Sequence, residues 1–357
     1  MNQRNHAFDL LCGLCILRMI LLHVVGMCGF RNEFWFSKLM AWTFFFMSFF
    51  FFKAGYFNKG VVPDFVSYLK DRTRRLLVPY MVWGLIGSVV YFGFLYFLPA
   101  LHPSLAKLKW EHVYTTSHFY GNPPCWFLFS FFSAYVVIGA VNRLRVGRLY
   151  GVVVLAFPFV SYYLFREKNP LWMSLNNVFM GLFFFQLGHW WRRIQERACE
   201  GGAKAWARLS VIVLSCLLIG TFAYLNRHYH GEYDMSLNKW VQRPWGAGIN
   251  TVCALVGLSG LMLTIVRRRI PLIGYIGEHS MVFFVVHYPL IFLYKFTCLA
   301  FGHNIRHSHA DCIVLVLLIL VVCRLLVPYV ERVPWLSGRP ARRHTPHSAN
   351  NTTTTDT

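Results

Sequence analysis

Long apolar runs alternate with short polar connections along almost the whole chain. Ten runs stand out, roughly 8–30, 40–57, 77–99, 125–141, 149–165, 171–191, 208–226, 245–266, 279–301 and 311–330. Runs of about 18 or more apolar residues are the signature of membrane-spanning helices. The pattern predicts an all-α, polytopic membrane helix bundle over residues 1–335, followed by a polar, Thr- and Asn-rich tail over 336–357 that is expected to be disordered. Asn350 and Asn351 in that tail satisfy the glycosylation pattern, but on the inner side they would not be modified. Between the second and third runs the sequence reads FFKAGYFNKGVVPDFVSYLKDRTRRLLVPY. Phe65, Val66, Leu69 and Leu76 recur there at spacings of three and four, which predicts a helix lying at the inner membrane surface. No internal repeat is visible, which weighs against a transporter built from two related halves.

Composition changes this picture little: 56% hydrophobic, 18% aromatic and only 14% charged. The formal charge of +21 would by itself point to nucleic acid, but Lys and Arg sit in short clusters between apolar runs. There they orient helices and meet anionic lipid head groups, so the expected partner is the bilayer. With the N-terminus inside, basic residues favour the inner loops by roughly two to one, which places both termini in the cytoplasm. The first helix carries no cleavage signal, and Arg18 interrupts what would be an h-region, so it is expected to remain as an anchor in the cytoplasmic membrane. Most of the ten cysteines lie inside apolar runs, where a thiol behaves as a small apolar group, and no metal is expected. Two outer loops, 100–124 and 227–244, are long enough to cover something, and both mix Trp, Tyr and His with a few charges.

Ionisable residues inside a span are costly and point to function. The first run, FDLLCGLCILRMILLHVVGMCGF, carries Asp9, Arg18 and His23. His23 lies about 20 Å along the helix from Asp9. An imidazole there is a general base, a proton relay or a hydrogen-bonded packing residue. Arg72, Arg74 and Arg75 stand just before Pro79. Guanidinium clusters bind phosphate bidentately, so this segment reads either as a polyphosphate site or as an inside-positive stop signal. Trp126 opens the fourth span directly after two prolines. In IGEHSMVFFVVHYPLIF, Glu278 and His279 lie near the inner end of the ninth span, with His287 two turns further on the same face.

Taken together and in this order, these pieces resemble the integral membrane acyltransferase family 3, which includes O-acetyltransferases of surface polysaccharides and the fucose 4-O-acetylase-like group. The resemblance runs from Phe8 to about Tyr329. It places the catalytic histidine on His23, with Asp9 in a supporting role, and sees the acyl-coenzyme A contacts in Arg72, Arg74 and Arg75 of RTRR, with Lys53 and Tyr56 of KAGY. Trp126, His287 and Glu278 would then line the acceptor side. Cys12 stands where the family has Arg or Lys, and Ala54 where it has Ser. The activity implied is transfer of an acetyl or other short acyl group from acyl-CoA to a sugar hydroxyl of a lipid-linked or cell-surface glycan. Set against it are a carrier or flippase for a lipid-linked sugar, and a catalytically inactive relative.

Overall fold

In the computed structural model the apolar runs become helices. The structure describes residues 5–58, 60, 64–98, 111–164, 171–200, 204–229, 233–236, 238–240, 244–266 and 268–339. The polar tail from 340 onward and the first part of the 100–124 loop lie outside these residues. Nine helices among the described residues are long and apolar enough to cross a membrane. The tenth expected span, 171–191, is also helical, but Asn176, Asn177, Gln186, His189 and the arginines at 192 and 193 make it too polar to qualify by composition.

Helix α1 (His6–Met27) is the axis of the bundle. Its cap is Asn5, whose side-chain oxygen accepts from the amides of Ala7 and Phe8 at 3.1 and 3.2 Å, satisfying two of the donors a helix start leaves over. The helix is apolar nearly all round, and a helix of that kind is buried on all sides. It packs against α3 (Phe46–Phe57), α12 (Pro244–Ile265), α13 (Pro271–Glu278), α14 (Ser280–Ala300) and α15 (His309–Arg332). Lipid is as apolar as leucine, so helices in a membrane associate through close backbone approach at small residues. A Cβ on Gly277 of α13 would overlap the carbonyl oxygen of Asp9, and one on Gly13 would overlap that of Ile273.

The second span is not one helix. α2 (Phe34–Trp42) ends at Thr43, and the chain resumes as α3 only at Phe46. The Thr43 hydroxyl donates to the Leu39 carbonyl at 2.6 Å, taking up an acceptor freed at the end of α2. Beyond α3, the segment read as a surface helix forms α4 (Phe65–Arg72), capped by Asp64, and continues through a π turn, Thr73–Leu77, into α5 (Val78–Phe97) without a break. Pro79 has no amide to offer the Arg75 carbonyl four residues back, and the Val78 amide instead reaches Thr73 five residues back. The packed face of α4 is also shifted from the expected one. Phe65 and Tyr68 lie on Gly139, while Val66 is 57% exposed.

After α5 come a short α6 (Glu111–Thr116), α7 (Trp126–Arg143), a broken span made of α8 (Gly147–Val153) and α9 (Phe157–Leu164), then α10 (Asn176–Glu200) and α11 (Lys204–Tyr229). A two-stranded antiparallel hairpin, Tyr233–Asp234 with Lys239–Trp240, bridges α11 and α12. Helix α16 (Pro334–Ser337) crosses the expected domain boundary at 335. The indole of Trp83 donates to the Leu336 carbonyl at 2.9 Å, and Gly338, with φ of 67°, rests on the backbone of Arg75 where a Cβ would not fit. The described residues extend to Arg339.

Candidate functional site

His23 lies on the wall of a cavity of about 370 Å³, within the size range of small-molecule sites. The broken second span supplies part of the lining through Met40, Phe44, Phe46 and Met47. Irregular backbone at membrane depth is tolerated where it is buried in protein or borders a cavity, and the α2–α3 break fits that rule. The Arg18 guanidinium reaches the break, donating to Thr43 Oγ1 at 3.3 Å and lying 3.8 Å from the centre of the Phe46 ring. Both long loops expected on the outer side contribute to this same cavity, one through His118, Pro123 and Pro124, the other through Asp234, Ser236 and Lys239. Trp126 lines it as well, with its ring stacked 6.1 Å from that of His118.

Behind His23 stands His287, fully buried, with its ring centre 5.4 Å from that of His23. His287 Nδ1 bonds to the Phe284 carbonyl at 2.7 Å, which makes it the proton-bearing nitrogen and leaves Nε2 as an acceptor. Nε2 is buried and has no hydrogen-bond partner among the described residues. Tyr288 stands edge-on to both rings, at 5.0 and 5.9 Å. Two imidazoles 5.4 Å apart, one on a cavity wall and one with an unused acceptor beside it, provide nitrogens that can take up a proton from the cavity.

The position of His287 depends on a proline. Pro289 interrupts α14, so the Val285 carbonyl four residues earlier has no intrahelical donor. Asn122, fully buried in the 117–125 loop, provides one, its Nδ2 lying 2.9 Å from that carbonyl and 3.4 Å from the carbonyl of Trp83. The loop roofing the cavity is thereby fixed to the helix bearing His287. Asn122→Leu is expected to lower stability by about 1–3 kcal/mol, the cost of leaving a buried carbonyl unpaired. The check is the thermal midpoint in detergent, and an unchanged midpoint would remove this role.

The other residues singled out in the sequence lie elsewhere. Asp9 sits at the opposite end of α1, about 21 Å from His23 by helical rise, and Glu278 follows Gly277, which packs on the Asp9 backbone. Glu278, expected on the acceptor side, pairs instead with Arg269 at 2.8 Å. Gly277 brings the end of α13 against Asp9, and this close contact fixes that placement. Lys53 Nζ donates to Cys12 Sγ at 3.0 Å, so α3 sets an ammonium beside the position where the resemblance called for a cation on α1 itself. Tyr56 donates to Gln195 Oε1 at 2.8 Å. Within RTRR the three arginines diverge because of the π turn. Arg72 lies over the rings of Tyr68 and Tyr135 at 5.0 and 4.2 Å, and Arg75 pairs with Asp71 at 2.8 Å. Arg74 and Arg75 line a second cavity of about 660 Å³ together with Lys70 and Arg339. This cavity and the His23 cavity share no lining residue.

Sequence reading passed over His118, Asp234 and Lys239, which the folded loops carry to the His23 cavity. Loop residues have no periodicity to mark them, and only the earlier observation that the loops mix His, Trp and charges hinted at them.

A bundle of helices long and apolar enough to cross a membrane, with His23 on a cavity under polar loops and His287 beside it, is a polytopic membrane protein. Residues 5–328 match the family described as acyltransferase domain, and the chain belongs to this family, acyltransferase family 3. It is a multi-pass membrane acyltransferase. No curated protein and no solved structure matches the chain.

Proposed function

We propose that this acyltransferase moves a short acyl group, acetyl in the simplest case, from acyl-CoA to a sugar hydroxyl of a lipid-linked or cell-surface glycan. His23 is the general base. It takes the proton of the acceptor hydroxyl as that oxygen attacks the thioester carbonyl carbon; the carbon–sulfur bond breaks, and coenzyme A leaves as the thiol. The observation that carries this reading is the placement of His23 on a cavity wall roofed by both long loops, with His287 directly behind it. Trp126 and His118 offer stacked rings of the kind that sugars pack against, and Asp234 and Lys239 offer polar contacts at the rim.

The donor enters from the other end. Lys70, Arg74, Arg75 and Arg339 line the 660 Å³ cavity and would hold its phosphates, while Arg72 is held over two tyrosines outside it. The two cavities share no lining residue, so the pantetheine arm has to cross the bundle to bring the thioester to His23. Lys53 takes the part of the cation missing at Cys12.

Purified protein incubated with labelled acetyl-CoA and glycan extracted from the membrane tests the activity. Label moving onto glycan is the expected result, and label remaining in the coenzyme A pool would end the reading. Lys70→Gln with Arg74→Gln is expected to weaken coenzyme A binding by roughly tenfold or more, since hydrogen bonds to charged groups are worth about 1.5–3 kcal/mol. Isothermal titration measures this, and unchanged affinity would remove the arginine cluster from the donor site.

A further inference from the structure

A third cavity, of about 720 Å³, lies where α7, the turn after it, α8 and α10 meet the end of α3. It is at the same end of the bundle as the arginine cluster, since Asn58, just past α3, borders it and Phe57 packs on Phe8 near the start of α1. Nothing in the acyl-transfer scheme uses it. We propose that it is an anion site for a phosphate-bearing ligand, held by Arg145, Arg148 and Arg193.

Three observations support this. The first is pairing. Four arginines elsewhere at this end of the bundle are matched with carboxylates: Arg75 with Asp71, Arg192 with Glu196, Arg269 with Glu278 and Arg339 with Glu331. Arg145, Arg148 and Arg193 come from three separate elements to one cavity wall, and none forms an ion pair among the described residues. A loop charge that only orients the chain in the membrane has no need of a concave wall shared with two others.

The second is backbone. Helix α7 ends in a turn in which the Val146 amide bonds the Val141 carbonyl at 3.3 Å, and Arg145 occupies the left-handed position with φ of 58°. Glycine takes that position at no steric cost and is the usual residue there. Arginine is strained there, and its side chain lines the cavity.

The third is a spare donor. Asn142, one turn back on α7, lines the same cavity, and its Nδ2 is buried with no acceptor among the described residues. Guanidinium groups with an amide-bearing side chain on the same wall match the oxygens of a phosphate. That chemistry fits the head group of an anionic lipid or a soluble polyphosphate, and the test separates the two.

The protein is placed in phosphatidylcholine nanodiscs, and thermal unfolding is followed with and without added pyrophosphate, then again in discs containing phosphatidylglycerol. A ligand that binds only the folded state raises the midpoint. A rise with pyrophosphate identifies a soluble ligand, and a rise with phosphatidylglycerol alone identifies a lipid. In either case the triple variant Arg145→Gly, Arg148→Gln and Arg193→Gln is expected to lose the rise, with affinity falling roughly tenfold for each arginine removed. Lys70→Gln with Arg74→Gln is expected to keep it, so this site stands or falls apart from the donor site. Should the triple variant not fold, Arg148→Gln alone carries the same comparison. In anion-free discs Arg145→Gly is expected to melt no lower than the unaltered protein, because glycine relieves the left-handed strain. The proposal is overturned if neither probe raises the midpoint, if the variants respond as the unaltered protein does, or if Arg145→Gly alone melts lower without anion.

Discussion

Replacing His23 with alanine is expected to abolish acyl transfer while the protein stays folded. The side chain stands on a cavity wall, so its loss leaves no large void in the packed bundle. A positioned general base contributes roughly 10²–10⁴ in rate, and a loss of that size is what the labelled-acetyl assay should register. The thermal midpoint in detergent, measured on the same sample, separates lost chemistry from lost structure. Activity within a few-fold of the unaltered enzyme would show that His23 only packs. His287 gives a graded comparison. It stands behind the cavity wall, so its removal should slow turnover by relaying a proton less well, without removing the group that meets the acceptor.

The largest stability effect is expected at Gly55, within KAGY. A Cβ at this position would overlap the Phe185 carbonyl oxygen of α10, and one on Gly188 of α10 would overlap the Phe52 carbonyl in return. These reciprocal contacts hold α3 and α10 together in the most extensive helix pairing of the protein. Backbone, unlike a flexible side chain, cannot yield by a rotamer change. Gly55→Val is therefore expected to cost about 3 kcal/mol or more, and to appear as loss of the monodisperse peak in gel filtration. Ala54→Ser, restoring the hydroxyl of the family pattern, is expected to stay within about 0.5 kcal/mol. A well-behaved Gly55→Val protein would show that the helices can separate freely. Loss of the Gly55→Val protein, by contrast, would mark this stretch as a packing element through its glycine, since Ala54 carries no hydroxyl.

The residues singled out in the sequence were placed differently by the fold, and the reasons differ from residue to residue. His23 stood out because an ionisable ring in an apolar span is costly, and the structure sets it on a cavity. His287 stood out by its two-turn spacing from His279, and the structure sets it beside His23, with Tyr288 against both rings. In the sequence Glu278 reads as lying on the same span as His287. In the structure it ends α13 while His287 lies in α14, and Glu278 meets Arg269. The three arginines of RTRR read as one cluster because they are neighbours in sequence. A proline four residues after Arg75 imposes a π turn, and the three then face a pair of tyrosines, a cavity and an aspartate.

By itself the sequence determined the class of fold, most of the apolar runs and their basic flanks, the family, and the histidine most exposed to a functional reading. Hydrophobic run length and charge placement are properties of short stretches, and the bilayer reads them locally. Tertiary structure alone decided which loops cover His23, that Lys53 from α3 stands beside Cys12, that Asn122 serves the carbonyl Pro289 leaves over, and that Arg145, Arg148 and Arg193 share one wall. Each of these joins residues far apart in the chain, and what brings them together is the close approach of helices at glycines, which no local pattern of apolar and polar positions encodes.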